Sequence, residues 1–146
     1  MKKLAGLFLM AAFAQLGCAA EEEPSVIGDW EIVLVEGEVD PNSAGTVFTF
    51  GDDFFVIGVP TEEGCCLHSG SMALTHDVSQ MPPSLDHDGI EIDNIPDEIG
   101  IYRFIDENTL EWKTTAADRP RPTDFTANEE DTILYQLRRT DWTATP

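Results

Sequence analysis

The stretch GIYRFIDENTLEW, residues 100–112, decides the fold class of this 146-residue chain. Its first half belongs to a segment, 99–105, that is rich in β-branched and aromatic residues. Asp106-Glu107-Asn108 are turn formers, and the chain then resumes a strand pattern over 109–113. Two short apolar runs on either side of a tight turn predict a pair of antiparallel strands.

Similar segments recur at short spacing along the rest of the chain. Turn signals such as Gly51-Asp52-Asp53 separate them. Residues 76–88, with Pro82-Pro83, are predicted to form a long polar loop. The predicted strands are 30–35, 46–50, 54–59, 65–74, a short alternating segment at 90–93, 99–105, 109–113 and 132–139.

About eight short strands without helical segments predict an all-β protein. The spacing favours an antiparallel barrel of about eight strands or a sandwich. Closure into a barrel is attractive for a small chain because it removes the unpaired sheet edges. A parallel α/β sheet is excluded, since it needs helices between its strands. The predicted barrel domain spans residues 27–140, and residues 141–146 form a C-terminal tail.

The N-terminus has the features of an export signal. Two lysines precede an apolar run, 4–16, which is too short for a permanent membrane span. Gly17-Cys18 then resembles a bacterial lipobox, which predicts a signal peptide over 1–17 and a lipid on Cys18. Cleavage after Ala20 is the alternative. Residues 18–26 are predicted to be an acidic tether, and the protein to be exported and anchored in the cell envelope.

The acidic composition restricts the molecules and surfaces to which this protein can bind. The formal net charge is −20, and removal of residues 1–17 takes away two lysines and no acid, which makes it −22. Nucleic acids and anionic membrane surfaces would repel such a chain. We therefore expect no nucleic-acid partner, and membrane contact through the lipid anchor only.

Four segments together resemble one family. They are Gly28-Asp29-Trp30, GIYRFIDENTLEW (100–112), RPRPTDF (119–125) and ILYQLRR (133–139). The chain resembles the uncharacterised lipocalin-like domain family of planctomycete bacteria. The resemblance implies an eight-stranded lipocalin-like barrel and an envelope location, but no known activity. The chain departs from the family pattern at Arg119 and at Gly64-Cys65-Cys66.

The resemblance also implies a structural pair at the closed end of the barrel. The tryptophan of the Gly28-Asp29-Trp30 motif would pack under a basic residue of the last strand, either Arg138 or Arg139. A cation over an indole ring contributes about 1 kcal/mol when it is sheltered from water.

The barrel interior is the predicted site for a small apolar ligand. Barrels of this size either fill their interior with side chains or hold one small ligand, and both alternatives stand. The residues expected to face inwards, beside Trp30, are Ile32, Leu34, Phe48, Phe50, Tyr102, Phe104, Leu110 and Trp112.

RPRPTDF is predicted to be a latch rather than an anion site. Its prolines impose an extended path, and nearby acids can hold Arg121, the arginine of the family motif. Arg119 should be the freer of the two arginines. The nearby acids that could pair with an arginine of this segment are Asp118, Asp124, Glu129 and Glu130.

Two weaker patterns concern metals. Cys66 and His68 share a strand face and could bind a soft metal. The alternatives are a buried thiol, a disulfide between the adjacent Cys65 and Cys66, or a disulfide link to another chain. The acidic segment 86–93 is similar to a calcium loop but lacks the full register. We expect no cofactor.

No catalytic motif was found, so we expect no enzyme. The predicted function is binding of a small apolar or amphipathic ligand at the cell envelope. The alternative is a structural or protein-interaction module with a filled barrel.

Overall fold

The structure is a computed structural model that describes residues 23–62, 64–91 and 94–141, without the side chains of 64–66. Cys18 and the signal and tail predictions for 1–17 and 142–146 lie outside these residues. No helix in the described part is long and apolar enough to cross a membrane. The nine strands are β1 (Gly28–Val35), β2 (Val47–Phe50), β3 (Phe54–Thr61), β4 (Gly64–His68), β5 (Met72–Asp77), β6 (Ser84–His87), β7 (Glu98–Asp106), β8 (Thr109–Ala116) and β9 (Thr132–Arg139).

Eight of these strands close into an antiparallel barrel, which confirms the predicted fold class. Each barrel strand pairs with its neighbours in the order β1, β2, β3, β5, β6, β7, β8 and β9, and β9 pairs back with β1. The stretch 100–112 forms most of the β7–β8 hairpin, in which Tyr102 lies opposite Trp112. This hairpin and β9 form one wall of the barrel, with a register shift between Phe104 and Asp106.

The predicted strand 65–74 is interrupted. β4 pairs with the second half of β3, through Val59 and Leu67, and β5 pairs with the first half, through Phe55 and Met72. Between them the Ser69 side chain accepts a hydrogen bond from the Ile57 amide at 2.9 Å. β4 is therefore the extra strand beside β3, and β5 alone carries the sheet on to β6.

The predictions for 76–88 and 90–93 were wrong. The supposed loop contains the end of β5 and all of β6, and Leu74 to Asp77 pair with Ser84 to His87. Around Ile90 the described chain forms a single bridge to Ile95 instead of a strand. The prolines before Ser84 and the polar composition of β6 conceal a strand whose Leu85 side chain is fully buried.

Candidate functional site

Large side chains fill the barrel interior. Phe48 lies at the centre, with ring centroids 5.3 Å from Phe55 and 5.6 Å from Trp112. A cavity of about 70 Å³ lies beside them. A ligand pocket usually measures at least about 300 Å³, so this space suits water molecules rather than an apolar ligand. Of the predicted cavity residues, those in the packed core are Trp30, Ile32, Phe48, Phe50, Tyr102, Leu110 and Trp112.

Leu34 departs from this set. A β-bulge between Ile32 and Leu34 shifts the register of β1 against β9, so the simple alternation assumed for β1 fails there. Leu34 is half-buried, and Val35 packs against the core instead. Phe104 is half-buried but packs against the core, with its ring centroid 6.1 Å from that of Trp30.

The small interior cavity contains a polar group at one wall. His87 Nε2 lies 3.4 Å from the Glu98 carboxylate, and its Nδ1 lies 3.2 Å from the Asp88 carbonyl oxygen. Tyr135 lines the same cavity, and burial, together with the charges of nearby glutamates, raises the pKa of its phenol. Sequence reasoning missed this group, because its members come from three separate strands.

The Gly28–Trp30 motif lies at one end of the barrel, under Arg139. The guanidinium carbon of Arg139 is 4.2 Å from the Trp30 ring centroid, whereas Arg138 pairs with Glu31 on the surface. A Cβ atom on Gly28 would come within 2.8 Å of the Arg139 guanidinium, and its φ of 134° is one that other residues rarely adopt. The backbone conformation therefore favours glycine at this position, and the arginine packs directly against it.

The predicted tether packs onto the same end. Arg139 donates to the carbonyl oxygens of Ser25 at 2.6 Å and Ile27 at 3.2 Å. The indole N–H of Trp30 donates to the carbonyl oxygen of Val26 at 2.7 Å, and Val26 is buried in the core. The packed part of the chain therefore begins before residue 27.

Arg121 fastens the latch loop, which we define as residues 117–131. Its guanidinium forms a bidentate ion pair with Asp86 on β6, and its Nη1 also donates to the carbonyl oxygen of Gly100 at 2.8 Å. The hydrogen bond from Arg121 to Asp86 raises the pKa of the arginine. This partner is not among the acids predicted within the loop. Arg119 is the freer arginine, since it lies 3.4 Å from an exposed Asp131.

Lys113 is the second anchor of the latch loop, and sequence reasoning missed it. Its side chain points out of the barrel but is fully buried under the loop, where Nζ donates to the Thr126 carbonyl oxygen at 2.7 Å and bonds to Glu129. Asp124, a predicted latch residue, lies 3.6 Å from the same nitrogen. Hydrogen bonds from Thr126 lower the pKa of Asp124. A lysine between Trp112 and Thr114, inside a predicted strand, was the signal available.

An apolar groove opens in the barrel wall where β6 stops, and the inward-facing Tyr102 and Phe104 of β7 form part of its lining. β6 begins at Ser84, opposite Ile101, so the rest of β7 has no strand of the described chain on that side. The proline-containing loop 78–83 runs there instead, and the Pro83 carbonyl oxygen accepts from the Tyr102 amide at 3.0 Å. We call the space between them the outer groove. Its volume is about 630 Å³, and its lining residues are Glu23, Pro24, Val78, Met81, Pro82, Pro83, Tyr102, Arg103, Phe104 and Phe125.

The outer groove combines exposed apolar side chains with a few polar atoms. Met81 is 93% exposed and Val78 is 69% exposed. At its inner wall the Tyr102 hydroxyl is hydrogen-bonded to His76, and burial raises the pKa of Tyr102. At its rim Arg103 stacks on the Phe125 ring at 4.4 Å. An apolar surface with one hydroxyl and one cation suits an apolar or amphipathic molecule.

The structure does not support a metal site within the described residues. No group of three or more His, Cys, Asp or Glu side chains there could hold an ion. Asp86, the first acid of the segment similar to a calcium loop, is occupied by Arg121. The Cys66 side chain lies outside the description, so the Cys66–His68 pair stays a prediction.

Comparison with known proteins gives no match: no family model, no curated protein and no solved structure is significantly similar to this chain. The resemblance to lipocalin-like domains of planctomycetes therefore stays a prediction.

Proposed function

We propose that this chain is an exported, lipid-anchored barrel that binds a small apolar or amphipathic ligand at the cell envelope without catalysing a reaction. The binding site in this proposal is the outer groove rather than the barrel interior. The contrast between two spaces supports the proposal: the cavity beside Phe48 and Trp112 has a volume of about 70 Å³, and the groove has a volume of about 630 Å³. Sites for small molecules usually occupy about 300–1,000 Å³ and are mostly apolar.

The position of the groove fits anchoring through Cys18. Glu23 and Pro24, at the start of the described chain, line the groove. Cys18 precedes Glu23 by five residues, and an extended chain of that length reaches roughly 17 Å. A lipid on Cys18 would therefore hold the groove close to the bilayer, where apolar molecules are concentrated.

Binding is tested with an apolar naphthalene dye whose fluorescence rises in an apolar environment. Val78→Asp should weaken dye binding about tenfold, because it places a charge on the groove wall. Val39→Asp is the matched control, since Val39 is 74% exposed and does not line the groove. If both variants bind the dye as tightly as the unaltered chain, the groove is not the site.

Anchoring is tested by fractionating cells that express Cys18→Ala. The variant should move from the membrane fraction to the soluble exported fraction. An unchanged distribution would remove the lipid anchor from the proposal, while the groove could still be tested on its own.

The second candidate is a structural or protein-interaction module with no ligand. The filled interior, with Phe48 packed against Phe55 and Trp112, favours it. Native mass spectrometry of protein extracted from its own membrane separates the two functions. A mass increment beyond the covalent lipid supports ligand binding, and a clean mass together with no dye uptake supports the module.

A further inference from the structure

We infer that the ligand of the outer groove is a single fatty acyl chain of a bilayer-derived amphiphile, such as a fatty acid or a lysophospholipid. This inference rests on the proposed function and specifies its ligand. The groove takes the acyl chain, and the polar head remains in water at its rim.

The lining of the groove matches an acyl chain. Its walls are apolar side chains from four separate parts of the chain: Pro24, the loop 78–83, Phe104 of β7 and Phe125 of the latch loop. Met81 is unbranched and flexible, so it can follow a chain that bends. Few polar atoms line the groove, so it offers few hydrogen-bond partners to a molecule that is hydrophilic along its whole length.

The polar atoms that are present suit a ligand with one polar end. The Tyr102 hydroxyl already bonds to His76, and the Arg103 guanidinium already bonds to Glu111 at 2.6 Å. Both groups have partners within the protein, so a ligand does not have to supply one for either of them. Arg103 is half exposed at the rim, where it can meet the head of an amphiphile.

The anchor determines the source of the ligand. With Cys18 about 17 Å from Glu23 at most, the groove stays within reach of the bilayer surface. Amphiphiles with acyl chains are the apolar molecules at highest local concentration there. A short tether keeps the groove near them, which raises their effective concentration at the groove. The acidic surface of the domain limits adsorption of the whole barrel to anionic lipid, so a single extracted chain is favoured over broad membrane contact.

The test is displacement of the naphthalene dye from the exported Cys18→Ala chain by lysophosphatidylcholines of increasing chain length. Affinity should rise about fourfold for every added methylene group that the groove buries, and should then level off. Glycerophosphocholine, which has the same head and no acyl chain, should not displace the dye. Val78→Asp should weaken lysolipid binding about tenfold, and Val39→Asp should leave it unchanged. Met81→Asp replaces Val78→Asp if the latter does not unfold cooperatively.

The outcomes separate this inference from the proposed function. Dye binding without displacement by any lysolipid overturns the acyl-chain inference and leaves the groove as a site for another apolar ligand. Absence of dye binding overturns both. Dye uptake by Cys18→Ala but not by the lipidated chain would show that the protein's own lipid fills the groove, which contradicts a ligand taken from the bilayer.

Discussion

At the scale of single residues, Arg119 and Arg121 show how strongly position decides the role of an arginine. They are two positions apart in RPRPTDF, yet one is half exposed and the other bridges two strands of the barrel. Sequence reasoning correctly separated their roles. It could not name Asp86 as the partner, because β6 was not predicted and the two residues are 35 positions apart.

The Arg121–Asp86 pair should contribute measurably to stability. Arg121→Gln should lower the free energy of unfolding by about 2 kcal/mol, since it removes charge-assisted hydrogen bonds and leaves Asp86 with the Gly100 amide but without a cationic partner. Arg119→Gln is the matched control and should cost less than about 0.5 kcal/mol. Urea denaturation of both variants, and of Arg121→Gln combined with Asp86→Asn, measures the coupling. Equal losses for the two arginines would show that Arg121 does not fasten the loop.

The raised pKa values of the two tyrosines predict that the protein loses stability at alkaline pH. Burial raises the pKa of Tyr102 and of Tyr135, and these are the only two tyrosines in the sequence. Unfolded tyrosines ionise near pH 10, so their contribution to stability is complete below that pH and is lost as the pH rises above it. The free energy of unfolding should fall above about pH 10, with a shallower fall in Tyr135→Phe. A near-ultraviolet titration in which both phenols of the folded protein ionise normally would contradict this account.

At the scale of elements, the latch loop depends on a lysine that faces outwards from β8. Lys113 is fully buried because residues 117–131 cover it, while Glu129 and Asp124 remain half exposed or more. The loop therefore brings the hydrogen-bond acceptors to the lysine. Sequence reasoning identified the loop and its extended path from Pro120 and Pro122, but not the residue beneath it.

Lys113→Met should detach the latch loop more than it disturbs the barrel. The free energy of unfolding should fall by about 1–3 kcal/mol, because the Thr126 carbonyl oxygen loses its donor while the two acids can hydrate. Limited proteolysis should cut within the loop before the strands. Arg138→Met removes an exposed ion pair with Glu31 and should cost less than about 0.5 kcal/mol. Proteolysis at the same rate in both variants would contradict the anchoring role.

The sequence predicted the long regular strands better than the short or irregular ones. β7, β8 and β9 have eight or nine residues with clear turns at their ends, and they were found. β6 has four residues between prolines and an acidic segment, so neither length nor alternation distinguished it. The bulge in β1 and the break between β4 and β5 depend on how these strands pair with their neighbours. A local sequence pattern does not contain that information.

At the scale of the whole molecule, the barrel and the groove have separate roles. Aromatic side chains fill the interior and close its end, and the shortness of β6 opens a groove beside β7. Composition predicted the filled barrel as one of two alternatives. The groove could not be predicted, because it combines the N-terminal segment, the loop 78–83 and Phe125 from the latch loop, which are distant in sequence.

Methionine methyl NMR tests the central claim, binding in the outer groove, most directly. After removal of residues 1–17 the chain contains two methionines, Met72 in the core and Met81 in the groove. Titration of the exported Cys18→Ala chain with an apolar ligand should shift the Met81 methyl signal and leave that of Met72 in place. A shift of Met72 with no change at Met81 would place the ligand inside the barrel and contradict the account.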